Sequence, residues 1–153
     1  MSTQPLRVLF LCTANAARSQ MAEALLRHLS KGRAEVFSAG SLPASEIHPQ
    51  ARAVLEEKFG IDTSGMHPKA MTSLLGERFD YVITVCDKIA ERCPVFPGDP
   101  ELIHWSLEDP LLQPTPEAQH RACEHVANAL AGRMRIWMSL PDIRRRLDAN
   151  VRT

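Results

Sequence analysis

Val8-Leu9-Phe10-Leu11-Cys12-Thr13-Ala14-Asn15-Ala16-Ala17-Arg18-Ser19 reads as a buried strand that breaks into a short turn and then enters a helix. Arg7 to Leu11 reads as a strand that is apolar without alternation from Val8 onward, the pattern of a strand covered on both faces. Cys12 closes that strand, and Arg18 and Ser19 open the helix. Backbone N–H groups of such a turn point toward a helix N-terminus, where the dipole favours negative charge, and an arginine there can clamp an oxyanion with two parallel donors. A tetrahedral oxyanion held in this way sits over the Cys12 sulfur. The same field is expected to favour thiolate over thiol, and the thiolate is the nucleophile. Asn15 supplies a residue tolerant of left-handed backbone in a turn that contains no glycine. The plain alternative is an inert buried cysteine closing a strand, with an arginine nearby by chance.

The rest of the chain bounds what this turn can serve. Its 153 residues suffice for one domain with a full core, and no Pro/Gly/Ser-rich linker divides them. One domain is expected over 1–153, with flexible tails at 1–5 and 144–153. The 18 basic and 18 acidic residues balance, so neither nucleic acid nor an anionic membrane is an expected partner, and anion attraction must be local. The apolar run at Leu6 to Leu11 is too short for a signal-peptide core and no later segment approaches a membrane span; a soluble cytoplasmic protein is expected. In that setting four cysteines argue against a disulfide framework and toward catalytic or metal use. Zinc sites bring ligands in close pairs such as Cys-x-x-Cys, whereas Cys12, Cys86, Cys93 and Cys123 are spread out and have no companion histidine. Neither a metal nor a cofactor is expected.

Periodicity and punctuation outline the fold. A helix is expected from Arg18 to Lys31, with Met21, Ala24, Leu25 and Leu29 on one face and Gly32 as its stop. Glu35 to Gly40 reads as a second strand, and Pro49 and Gly60 bracket a second helix. A short helix is expected at Lys69 to Leu75, a third strand at Tyr81 to Cys86, a fourth at Leu102 to Leu107, and a long amphipathic helix at Pro116 to Leu140. Strands that alternate with helical crossovers imply an α/β domain: a four-stranded parallel sheet with helices on both faces and the ligand at the carboxyl ends of the strands. Cys12, Cys86 and Asp109 each follow an expected strand. A carboxyl group in Asp109-Pro110 is placed to act as a general acid; it is equally a turn residue ahead of proline, and Glu108 competes for the role. Arg144-Arg145-Arg146-Leu147 reads as a solvated basic terminus.

Cys-Thr-Ala-Asn-Ala-Ala-Arg-Ser-Gln-Met-Ala-Glu, from Cys12 to Glu23, resembles the low-molecular-weight protein tyrosine phosphatase superfamily, and within it the arsenate reductases that share the fold. Phosphatases of this kind need one catalytic cysteine. Thioredoxin-linked reductases need three, and Cys86-Asp87-Lys88-Ile89-Ala90-Glu91-Arg92-Cys93-Pro94 has cysteines at the position and spacing of the second and third. The resemblance implies a loop of Thr13, Ala14, Asn15, Ala16, Ala17, Arg18 and Ser19 that binds arsenate, with phosphate and sulfate as competing oxyanions. It implies attack by Cys12, proton donation by Asp109, a disulfide relay from Cys12 through Cys86 to Cys93, and a thioredoxin-type reductant as partner. Asn15 and Ser19 match residues that hold the loop in shape, and Ser19 also matches a thiolate stabiliser. Leu111 and Leu112 stand where the phosphatases carry aromatic side chains that stack on phosphotyrosine, a departure that favours a small inorganic oxyanion. Some such reductases hold potassium through residues matching Asn15, Glu23 and Ser38; here His67 and Lys69 stand where further ligands are expected, which leaves Lys69 as another source of positive charge. Cys123 has no place in the pattern and is expected to be a packed core thiol. A continuous helix between Cys86 and Cys93 would hold their α carbons about 10.5 Å apart, beyond the roughly 7 Å limit of a disulfide, so the stretch from Asp87 to Arg92 is expected to unwind on oxidation. Two other readings stay open: a tyrosine phosphatase in which Cys86 and Cys93 are incidental, and a non-catalytic oxyanion-binding or redox-sensing module.

Overall fold

Strand β1 (Leu6–Cys12) runs between two parallel neighbours, and Val8, Leu9, Phe10 and Leu11 are wholly buried, which is why this run is apolar without alternation. The computed structural model describes residues 4–87 and 93–150. Beside β1 lie β2 (Ala34–Gly40) on one side and β3 (Tyr81–Thr84) on the other, with β4 (Glu101–His104) outside β3. The four strands form one parallel sheet in the order β2-β1-β3-β4, as the alternation of elements implies. Register brings Cys12 opposite Gly40, and Thr84 opposite His104, so the carboxyl ends of the strands finish together.

Helix α1 (Arg18–Leu29) packs on β1 and β2, while α2 (Pro49–Phe59) and α3 (Pro116–Met138) pack on each other and on α1. The bracketing of α2 is as expected: Pro49 occupies its first turn, the His48 ring accepts from the Gln50 amide at 3.1 Å, and Gly60 ends it in left-handed backbone at φ 65°. Helix α1 stops at Leu29, short of the expected Lys31, because Lys31 and Gly32 are both left-handed, at φ 56° and 74°. The short helix is a single 3-10 turn, Met71–Leu74. Strands β3 and β4 are shorter than the apolar runs that announce them, and Val85, Cys86 and Trp105 lie beyond the ladder while still buried.

One expectation fails. Residues 144–149 are not a flexible tail but most of helix α4 (Pro141–Ala149), whose Ile143 and Leu147 are buried. These two sit four residues apart on one face, a pair that three consecutive arginines obscure. Arg146 is not merely solvated: its Nη2 lies 3.2 Å from Asp80 Oδ2, and the same oxygen accepts from the Arg7 amide at 2.8 Å.

At the end of β2, Gly40 meets the turn after β1. A Cβ there would lie 2.4 Å from the Thr13 carbonyl oxygen and 3.0 Å from the Asn15 amide nitrogen, both backbone atoms with no freedom to step aside. Gly40→Ala is therefore expected to destabilise the protein by about 1–3 kcal/mol, the usual cost of overpacking, and to distort the turn. Chemical denaturation checks the first effect, and an unchanged midpoint contradicts the close approach.

Candidate active site

The turn from Thr13 to Ala17 is held open from outside. Carbonyl oxygens of Thr13, Ala14 and Ala16 each accept from amides of the segment that follows β2, those of Leu42, Ala44 and His48, all at 2.9 Å. Inside the turn, the Asn15 amide donates to Cys12 Sγ at 3.1 Å, and the Ser19 hydroxyl lies 2.8 Å from the same sulfur. Asn15 itself is left-handed at φ 52°, the conformation for which it was singled out in the sequence. Its side chain uses its whole hydrogen-bonding capacity. Nδ2 donates to Ser19 Oγ (2.7 Å) and Ser38 Oγ (3.0 Å), while Oδ1 accepts from Gln20 Nε2 (2.9 Å) and the Lys69 amide (2.8 Å).

Cys12 is 3% exposed. Burial is the largest influence on its thiol and pushes it above its ordinary value; hydrogen bonds from the Ser19 hydroxyl and from the Ser19 and Asn15 amides pull the other way, and nearby Cys86 adds to the upward push. The acidic resting thiol expected from the sequence is thus opposed by depth, which the sequence does not display. Cys86 is also buried, two residues past β3, and its sulfur lies 3.4 Å from the Thr13 hydroxyl. Cys93 is half-buried, its thiol raised by burial, with Sγ 3.7 Å from the Pro94 carbonyl oxygen. The stretch expected to unwind, Asp87 to Arg92, lies beyond Asp87 outside the described residues. Cys123 is wholly buried in α3, and burial together with the Asp109 carboxylate raises its thiol to about 11, as befits an inert core residue.

Arg18 bridges the turn to the loop after β4. Its Nη1 donates to the Leu107 carbonyl at 3.0 Å and its Nη2 lies 3.6 Å from Asp109 Oδ2. Asp109 takes up the turn role: Oδ1 accepts from the Leu111 amide at 3.0 Å and caps the 3-10 turn Pro110–Leu112, which leaves Oδ2 facing Arg18. Among the described residues the link from this loop to the turn runs through Asp109 and the Leu107 carbonyl, not through Glu108. Leu112, where the resemblance calls for an aromatic wall, is 79% exposed.

The three residues matched to a potassium site do come together, but they do not fit a resident cation. Glu23 is 6% exposed; its Oε1 accepts from Ser38 Oγ at 2.7 Å and lies 3.3 Å from Lys69 Nζ, and its Oε2 lies 3.1 Å from Arg27 Nη2. Two side-chain cations already neutralise this carboxylate. Among the described residues no group of three or more His, Cys, Asp or Glu side chains is placed to hold a metal ion. Sequence reasoning passed over Gln20, fully buried in α1, which donates to Asn15 Oδ1 and, at 2.8 Å, to the His67 carbonyl. A polar residue at a core-facing position of α1 was the available signal. It also passed over the role of Gly40, where a strand ends against the turn.

Ser19→Ala removes one of the groups that favour the Cys12 thiolate and leaves the burial that opposes it. The pH at which iodoacetamide labels half of Cys12, followed on its peptide by mass spectrometry, is expected to move upward in this variant. A midpoint that stays in place or falls contradicts the hydrogen-bond assignment.

Residues 7–145 match the family described as low molecular weight phosphotyrosine protein phosphatase. An arsenate reductase of Shouchella clausii (strain KSM-K16) is 33% identical over 129 residues, 84% of this chain and 91% of that protein. A glutaredoxin arsenate reductase of Synechocystis sp. (strain ATCC 27184 / PCC 6803 / Kazusa) is 36% identical over 104 residues, 68% of this chain and 78% of its own. Among solved structures, a thioredoxin-dependent arsenate reductase of Corynebacterium glutamicum superposes with a TM-score of 0.70 at 38% identity; the match covers 91% of this chain but 63% of that longer one. With the cysteine turn, the parallel sheet and the matched span in agreement, this chain belongs to the low molecular weight phosphotyrosine protein phosphatase family.

Proposed function

We propose that the protein is an arsenate reductase working through a relay of Cys12, Cys86 and Cys93. The observation that carries this reading is the second buried thiol at the turn, Cys86 Sγ at 3.4 Å from the hydroxyl of Thr13, the residue next to Cys12. Phosphate-ester hydrolysis has no use for that thiol, whereas reduction requires one beside the nucleophile. The names borne by the relatives in the preceding comparison point the same way, and leucines in place of an aromatic wall favour a small inorganic oxyanion over a phosphotyrosine side chain.

Arsenate sits in the turn from Thr13 to Ser19, held by backbone amides and the Arg18 guanidinium; phosphate and sulfate, with the same shape and charge, compete. The Cys12 thiolate attacks arsenic, and a hydroxyl group leaves as water with the proton donated by Asp109. Cys86 then attacks Cys12 Sγ. An S–S bond forms and the S–As bond breaks, and its electron pair leaves with arsenic, which falls from As(V) to As(III) and departs as arsenite. Cys93 attacks Cys86 in turn, frees Cys12 and carries the disulfide outward, where a thioredoxin-type dithiol reduces it by exchange. Such reductants belong to the cytoplasm, where this reading places the chain. Among the described residues no helix is long and apolar enough to cross a membrane.

Arsenite release by cysteine variants tests the relay. With thioredoxin, its reductase and NADPH, the unaltered protein is expected to turn over many times. Cys93→Ser should release about one equivalent and stop with Cys12 bonded to Cys86, and Cys86→Ser should release almost none, because each exchange step requires its own attacking thiol. Repeated turnover by either variant contradicts the relay. Arsenate-independent hydrolysis of an aryl phosphate, unaffected by both substitutions and with no arsenite formed, selects the phosphatase instead.

A further inference from the structure

The thiol that must attack Cys12 is fixed on one side by the sheet: β3 ends at Thr84, and the Val85 amide donates to the Leu11 carbonyl at 2.9 Å. On its other side the chain is gripped at the very next residue. Asp87 Oδ1 lies 2.8 Å from His104 Nε2 and accepts from Ser106 Oγ at 3.1 Å, two donors converging on one oxygen. The imidazole is itself set from behind, with Nδ1 at 2.8 Å from Thr84 Oγ1 and 3.1 Å from the Thr84 carbonyl oxygen. That orientation follows from register, since Thr84 and His104 are partners across β3 and β4. The hydrogen bonds from His104 and Ser106 hold the Asp87 carboxyl below the usual carboxylate range, and the charge of Arg18 acts on it as well, so the grip lies within the field of the turn.

We propose that Asp87, His104 and Ser106 are positioning residues for the attack of Cys86 on Cys12; the inference rests on the reduction proposed above. Displacement at sulfur requires the attacking thiol to stand in line with the bond that breaks, and a misplacement of about 1 Å can cost about 10²-fold in rate. A sheet strand on one side and the Asp87 carboxylate on the other fix the Cys86 backbone from both directions. Asp87 has a side chain 79% exposed, and exposed ion pairs contribute little to stability. Removing the grip therefore leaves the fold intact and shows itself in the rate.

The test is the first turnover, without any external reductant. Reduced protein is mixed with arsenate, quenched, and assayed for arsenite, while phosphate protection of Cys12 against iodoacetamide reports oxyanion binding separately. Asp87→Ala and His104→Ala are expected to release their first equivalent of arsenite at least about tenfold more slowly than the unaltered protein, with phosphate protection and thermal midpoint unchanged. Asp87→Asn keeps an acceptor oxygen for both donors and is expected to recover most of the rate. First-turnover rates equal to the unaltered protein in both alanine variants overturn the positioning role, as does loss of phosphate protection in step with the rate. Failure of the unaltered protein itself to release arsenite removes the reduction, and this proposal with it.

Discussion

Everything at the cysteine turn depends on one side chain making four hydrogen bonds in a backbone conformation that most residues avoid. Asn15 is left-handed at φ 52°, a conformation that costs an L-residue roughly 1–2 kcal/mol. Its carboxamide offsets that cost by binding two hydroxyls, an amide N–H and the Gln20 side chain. Buried hydrogen bonds are each worth about 0.5–1.5 kcal/mol net, and leaving one such group unpaired costs more. Because one bond runs to Ser19 and another to Ser38, the same carboxamide orients the hydroxyl that touches the Cys12 sulfur and ties the turn to β2.

Charge follows the same line outward. Ser38 passes the contact to Glu23, and Glu23 meets the Lys69 ammonium, whose backbone amide returns to Asn15. The circuit closes on itself with a covalently attached cation beneath the turn. Arg18 joins the turn to the Asp109 loop, so the carboxyl group proposed as proton donor lies beside the guanidinium proposed as oxyanion clamp. Gly40 lets the strand and the turn approach closely enough for both halves to meet.

What the sequence made legible was local. Cys12, Asn15, Arg18 and Ser19 fall within one turn of chain, and Cys86 and Asp109 follow the ends of strands, so their convergence could be read from periodicity and from the parallel connection rule. The parallel sheet, its edge at β4 and the Pro49 to Gly60 bracket of α2 were readable for the same reason. Contacts set by register between distant strands were not: nothing near His104 announces that it faces Thr84 and Asp87. The depth of the Cys12 sulfur was hidden because the Ser19 and Asn15 donors that favour a thiolate lie close in sequence, while the residues that bury it come from the whole core. Helix α4 was missed because Ile143 and Leu147 are separated by three arginines, and the charge run outweighed the spacing.

The central claim is that Asn15 holds the turn in the shape that binds an oxyanion. Isothermal titration of phosphate into Asn15→Ala tests it most directly, beside circular dichroism to confirm that the fold is retained. Loss of about 1.4 kcal/mol or more, the worth of one or two of its hydrogen bonds, corresponds to at least about tenfold weaker binding, and that is the result expected. Phosphate bound as tightly as by the unaltered protein, in a variant that remains folded, would contradict the account.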